Sequence, residues 1–193
     1  FDGSVVLRDA DFTVRATTLD HGIPSMGYMV READRWNVRS DVLSVEGLTP
    51  GAWLHALKDA EKPDEGIMTV QGRSRSMREW RRHLLQLHPG DSAAYLTDFR
   101  LDDASMARLG EWLKPCRVLV CESQYCKADE ALARQMGHLT ATQAARLAGL
   151  SGVERLIMFH VSDRYSAKER GAILAEACAV FPGASWPDTW HQA

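Results

Sequence analysis

The sequence is most informative at first through what it lacks. Its longest apolar runs, such as LIMFHV at 156–161, fall far short of the roughly 20 residues a membrane helix needs. No basic-then-apolar signal segment opens the chain. It has only four cysteines, Cys116, Cys121, Cys126 and Cys178, and none at CxxC spacing. That usage excludes a cysteine zinc knuckle and reads as reduced thiols in a cytoplasmic protein. There is no surplus of positive charge, with 23 Lys and Arg against 26 Asp and Glu for a net charge of -3. Any nucleic-acid contact must therefore come from a local basic patch. Internal repeats, low-complexity tracts and compact ligand motifs such as H-E-x-x-H are all absent. The first residue is Phe1 rather than Met, so the expectation is a chain that does not start at a natural beginning.

What is present suits a single soluble domain with a sizeable core, at 193 residues, 45% hydrophobic and 25% charged. Two β-rich runs lie at 4–8 and 12–19, and MGYMVRE forms a third. Residues 34–92 lose that regularity. They hold the turns Pro50-Gly51 and Pro63-Asp64, a short helical stretch near 51–59 and a helix near 76–87, and they read as an inserted arm. Beyond residue 92 strands and helices alternate. AAYLTDF (93–99), RVLVCES (117–123) and RLIMFHVS (155–162) are apolar strands, and helices are expected at 103–113, 127–136, 140–149 and about 166–180. Thr140 with Gln143 three residues on is a capping-box pattern. The alternation predicts an α/β architecture with helices packed on a sheet.

The polar residues fall at strand ends. Asp98, Glu122 and His160 close three apolar strands, which is where α/β sheets place ligands. His21 sits in the turn of LDHGIPSMGY and His138 in a Gly-His-Leu-Thr loop before a helix. Imidazole and carboxylate donors together suit Zn²⁺ or Mn²⁺. Spacing alone equally allows a helix cap at Asp98, a structural histidine at His160 and a half-exposed carboxylate at Glu122. His55, His83, His88 and His191 lie in polar or helical contexts and take no role. GRSRSMREWRRH (72–83) has five arginines and Trp80. It reads either as a phosphate-contacting, base-stacking patch or as a solvated helix face whose Trp anchors a core.

Four stretches, in order, resemble the C-terminal half of ribonuclease Z, the tRNA 3′ endonuclease of the metallo-β-lactamase fold. LDHGIPSMGYMVRE resembles its His-Gly segment, and AYLTDFR its Gly-Asp-Thr-Arg strand end. VLVCESQY with GHLTATQAARLA resembles its Glu-bearing strand and His-Ser-Thr helix start, and LIMFHVSDRY its Thr-His-x-Ser-x-Arg-Tyr strand end. The resemblance implies an αββα sandwich of which this chain is about the C-terminal half, with the arm inserted at 34–92. It implies two Zn²⁺ ions, with His21 on one, Asp98 bridging both and His160 on the other; Mn²⁺ fits the same donors. It implies His138 as the catalytic proton donor or as a contact to the scissile phosphate, supported by Glu122.

The implied activity is cleavage of pre-tRNA 3′ trailers by a metal-bound hydroxide. The implied partners are a tRNA precursor, a second copy in a homodimer, and an N-terminal half carrying the H-x-H-x-D-H box, which this chain lacks. Residues 37–60 occupy the place of the family's tRNA-gripping arm, with Pro50-Gly51-Ala52 where that arm often has Gly-Pro. Thr97 and Phe99 stand where the family has Gly and Thr around the bridging Asp. These departures leave two alternatives open: a hydrolase of another small phosphodiester or sulfate ester, and a non-catalytic remnant or subunit. Half of a sandwich would also expose one sheet face and make the isolated chain poorly soluble.

Overall fold

The computed structural model describes residues 2–59 and 63–188. Phe1, Ala60 to Lys62 (the end of the expected arm segment and its continuation) and His191 lie outside the described residues. The chain divides into two compact units, Phe1–Ala33 with Asp91–Ala193, and Asp34–Gly90.

In the first unit, β1 (Asp2–Arg8), β2 (Phe12–Asp20) and β3 (Pro24–Glu32) form an antiparallel meander. The second unit then runs β4 (Arg35–Val38), α1 (Ser40–Val45), α2 (Trp53–Lys58), β5 (Ile67–Val70), β6 (Arg73–Ser76), α3 (Met77–Leu84) and β7 (Leu85–His88). The first unit resumes with β8 (Ser92–Leu96), α4 (Asp103–Leu113), β9 (Val118–Glu122), a 3-10 turn at Lys127–Asp129, α5 (Glu130–Met136) and α6 (Ala141–Ser151). It closes with β10 (Arg155–Phe159), α7 (Ala167–Val180) and the short β11 (Ala184–Ser185). Seven strands make one mixed sheet in the order β1-β2-β3-β8-β9-β10-β11. β3 meets β8 antiparallel, and β8, β9, β10 and β11 run parallel.

Both faces of the central strands are apolar. One face, including Met29, Ala94, Leu96, Leu119, Cys121, Leu156 and Met158, is buried. The side chains between them, Tyr28, Val30, Tyr95, Val120, Ile157 and Phe159, share the opposite face, because Tyr28 pairs with Tyr95, Tyr95 with Val120 and Val120 with Ile157. Tyr28, Val30 and Tyr95 stay more than two-fifths exposed. Strands with apolar residues on both faces are those of a sheet covered on both sides. α6 packs on α4, α7 and the strands β9 and β10. Its buried face is mostly Ala141, Ala144, Ala145 and Ala148, small side chains that let neighbouring backbones come close. The expected capping box forms at Thr140 and Gln143, and α4 and α7 open with the same device.

The second unit has its own core of Leu43, Leu48, Leu57, Val70, Met77, Trp80, Leu84 and Leu85. Trp80 is fully buried, and its indole N–H donates to the Met68 carbonyl at 2.9 Å. It cannot stack on a base. The arginines of 72–83 are largely turned to internal work. Arg73 and Arg75 meet Glu46, which also holds His83, while Arg78 and Arg81 meet Asp64. The core-anchor reading of this stretch is therefore the observed one. The helix expected over 76–87 stops at Leu84, since Leu85–His88 pairs with Arg35–Val38 as a two-stranded ribbon. The run of leucines at 84, 85 and 87 fits either period, which hid that change from the sequence. Among the described residues no helix is long and apolar enough to cross a membrane.

Trp80→Ala should destabilise the second unit by about 3–5 kcal/mol, read from denaturant unfolding. A loss below about 1 kcal/mol would show that Trp80 does not hold this core.

Candidate active site

The parallel order of β8, β9 and β10 brings Asp98, Glu122 and His160 to adjacent strand ends. Each lies at or within two residues of its strand's last residue. Both Asp98 (φ 53°) and His160 (φ 57°) adopt the left-handed backbone, with Gln71 the only other described non-glycine residue to do so. Such conformations cost of order 1–3 kcal/mol and concentrate at functional sites. The turn aims both side chains off the sheet toward the same point. Asp98 Oδ1 is 3.6 Å from His160 Nδ1 and 4.0 Å from His138 Nδ1.

His160 Nδ1 is buried and has no hydrogen-bond partner. Its other ring nitrogen lies 3.4 Å from the Gln124 side-chain amide. A buried nitrogen without a partner, facing a carboxylate beyond hydrogen-bond range, is the arrangement a cation between them would satisfy.

His21 sits in the turn after β2. Asp20 holds that turn, accepting from the Gly22 N–H at 2.8 Å and pairing with Arg100 at 2.8 Å, so it acts as the turn residue. The Arg100 guanidinium and the Gly22 N–H hold its carboxyl below the usual range. Gly22 takes φ 85°, which only glycine adopts without strain. The His21 Nδ1–H donates to the Gly137 carbonyl at 2.9 Å, which leaves Nε2 as the free lone pair, the tautomer expected of a metal-ligating histidine. Gly137 has φ 82°, and a Cβ there would stand 2.8 Å from His21 Nδ1, so this close approach requires glycine.

Glu122 is not a half-exposed surface group: it is fully buried. It accepts the Phe99 backbone N–H at 2.7 Å and the His138 Nδ1–H at 2.8 Å. A carboxylate can only accept, so His138 carries its proton on Nδ1 and presents Nε2. Ligand atoms of His21, Asp98 and His138 lie within 4.8 Å of one another, as do those of Glu122, His138 and His160. All five sequence-selected residues thus converge. His138 belongs to both groups, while His21 and His160 do not share one.

Residues 60–161 match the beta-lactamase superfamily domain. The chain belongs to the beta-lactamase superfamily. Curated relatives within it are ribonuclease Z of Deinococcus radiodurans, 41% identical over 177 residues, and of Thermobifida fusca, 34% identical over 183. These alignments cover 92% and 94% of this chain but 52% and 53% of the relatives, so the chain spans about half their length. Among solved structures it is similar to the short form of human tRNase Z, with TM-score 0.50, 19% identity, 96% of this chain and 44% of that one. It is also similar to the metallo-β-lactamase fold protein YhfI of Bacillus subtilis, with TM-score 0.51, 15% identity, 94% of this chain and 48% of that one. These likenesses show the α/β metallo-β-lactamase fold, which implies a divalent metal, and the donor set above fits one.

Ser25, Gln124 and Gly137 also surround the site, and no sequence motif marks Ser25 or Gln124. Ser25 donates to the Asp98 carbonyl at 2.7 Å, and Thr97 to the Asp98 carboxylate at 3.1 Å. The one signal for Gly137 was its place just before His138. His138 also borders a cleft of about 900 Å³ lined by Arg100, Arg134 and Arg146 together with Asp102 and Glu130. Burial opposes a charge on His138, but its bond to Glu122 and the charges of Glu122 and Asp98 outweigh that and hold its pKa above the usual 6.5. A raised folded-state pKa stabilises the fold below pH 6.5, and that contribution is lost as pH rises through the raised value. Glu122→Gln should lower the His138 pKa in metal-free protein, followed by imidazole NMR titration. An unchanged value would remove Glu122 as the cause.

Proposed function

We propose that this chain supplies one half of the active site of a zinc-dependent phosphodiesterase of the ribonuclease Z type, acting on the 3′ trailer of pre-tRNA. The observation that carries this reading is the unpartnered His160 Nδ1 facing Asp98, both held in left-handed backbone. His21 through Nε2 and His160 through Nδ1 would each hold one of two zinc ions, with Asp98 shared between them. Zinc bound there would supply Lewis acidity and make water a better nucleophile at neutral pH.

The chain's own residues do the rest. His138 holds a proton at Nε2 when it is charged, and Glu122 fixes its other nitrogen and favours that charge. As water's oxygen bonds to phosphorus and the bond to the 3′-oxygen breaks, His138 passes its proton to that leaving oxygen, while the proton that water loses goes to a base outside this chain, the Asp of the H-x-H-x-D-H segment. Ribonuclease Z relatives at up to 41% identity support tRNA as the substrate class.

The ligand set is incomplete for two ions, since only two protein donors fall to each. We place the remaining donors in an H-x-H-x-D-H segment from the N-terminal half of the same enzyme, or from a partner chain. The apolar sheet face of Tyr28, Val30, Tyr95 and Val120 supports such a second layer. On this reading residues 1–193 are the C-terminal part of one domain, with 34–92 an arm inserted in it, and the complete enzyme is a homodimer. The internal pairing of the 72–83 arginines favours a second reading, hydrolysis of another small phosphodiester.

The chain alone should bind zinc weakly and bind an apolar dye such as anilinonaphthalene sulfonate through its open sheet face. Addition of the H-x-H-x-D-H segment should give tight uptake of two zinc ions and cleavage of pre-tRNA, both lost in Asp98→Ala. Cleavage of only a chromogenic phosphodiester would replace tRNA with the smaller substrate. Full hydrolysis by Asp98→Ala would overturn the site.

A further inference from the structure

Asp98 is the residue on which both halves of the proposed metal site turn, and its backbone is held where a non-glycine residue is strained. Two contacts fix the peptide unit that follows the strained residue. Ser25 Oγ donates to the Asp98 carbonyl at 2.7 Å, and the next amide, of Phe99, is taken by buried Glu122 at 2.7 Å. Neither sets where the carboxylate points, because the side chain still rotates about its own bonds.

One hydroxyl does. Thr97 Oγ1 donates to Asp98 Oδ2 at 3.1 Å, while Oδ1 faces His160 and His138. A carboxylate offers about four acceptor positions, so one filled by the hydroxyl leaves the others open to cations. Thr97 is β-branched, which restricts its own χ1 and limits where its hydroxyl can stand.

We infer that Thr97 is a positioning residue for the Asp98 carboxylate: its hydroxyl holds Oδ2 so that Oδ1 faces His160 Nδ1, the other donor proposed for the same divalent cation. This rests on the proposed metal reading of the site and adds to it the residue that sets the bridging carboxylate. Hydrogen-bond partners of metal-ligating carboxylates commonly alter metal affinity about 10–100-fold when removed.

The test is zinc affinity of the full-length protein, measured with Zn²⁺ alone against a chromophoric chelator, alongside the thermal midpoint. Thr97→Val keeps the shape and removes the hydroxyl, Thr97→Ala removes both, and Thr97→Ser keeps only the hydroxyl. The inference predicts about 10–100-fold weaker zinc binding for Thr97→Val and Thr97→Ala at a parental midpoint, with binding restored in Thr97→Ser. Should Thr97→Val not fold, Thr97→Ala against Thr97→Ser makes the same comparison. Parental affinity in the variants without the hydroxyl would overturn the positioning role and leave the metal reading standing, as would a Thr97→Ser as weak as they are. A parent protein that takes up no zinc would overturn both.

Discussion

A single buried carboxylate ties the site together. Glu122, at the end of β9, has no solvent exposure and is satisfied from two directions, by the Phe99 amide and by the His138 imidazole. The first bond pins the loop that carries Asp98. The second pins the α5–α6 loop, from which Gly137 accepts the hydrogen bond that sets the His21 ring. Removing either partner would leave a buried charge short of a hydrogen bond, at a cost of several kcal/mol. Four of the five converging residues therefore share one constraint, and His160 joins them through β10, the neighbour of β9 in register, with Phe159 opposite Glu122.

Strain and unmet hydrogen bonding concentrate at the same place. The left-handed backbones of Asp98 and His160 aim two donors at one point, and His160 Nδ1 goes without a protein partner there. Among the described residues one other buried side-chain nitrogen, the Trp112 indole N–H, also lacks a partner; the buried hydroxyls of Thr140, which caps α6, and of Ser92, which accepts the Arg117 amide while donating to the Pro115 carbonyl, are satisfied. What sets His160 apart from Trp112 is the Asp98 carboxylate 3.6 Å from its free nitrogen.

Much of this was legible in the sequence. Apolar runs ending in Asp, Glu and His marked the strand ends, where the apolar pattern of a buried strand gives way to ionisable groups. The capping box at Thr140 and Gln143 located α6. Burial was less legible. Glu122 looked equally like a surface carboxylate, since no local pattern reveals a carboxylate whose partners are 23 and 16 residues away. The interior of 34–90 was the least legible part, because β4, β5, β6 and β7 are four-residue strands that pair only in short ribbons. The arginine run left two readings open for a related reason: composition cannot show that Glu46 gathers Arg73, Arg75 and His83.

The central claim is that His21, Asp98 and His160 face bound metal. Zinc-edge anomalous diffraction from crystals of the complete protein grown with Zn²⁺ tests it most directly. The account predicts zinc at about 2.0–2.2 Å from His21 Nε2, an Asp98 carboxylate oxygen and His160 Nδ1, with His138 Nδ1 still on Glu122. Zinc bound only elsewhere, or liganded by His138 in place of His160, would contradict it.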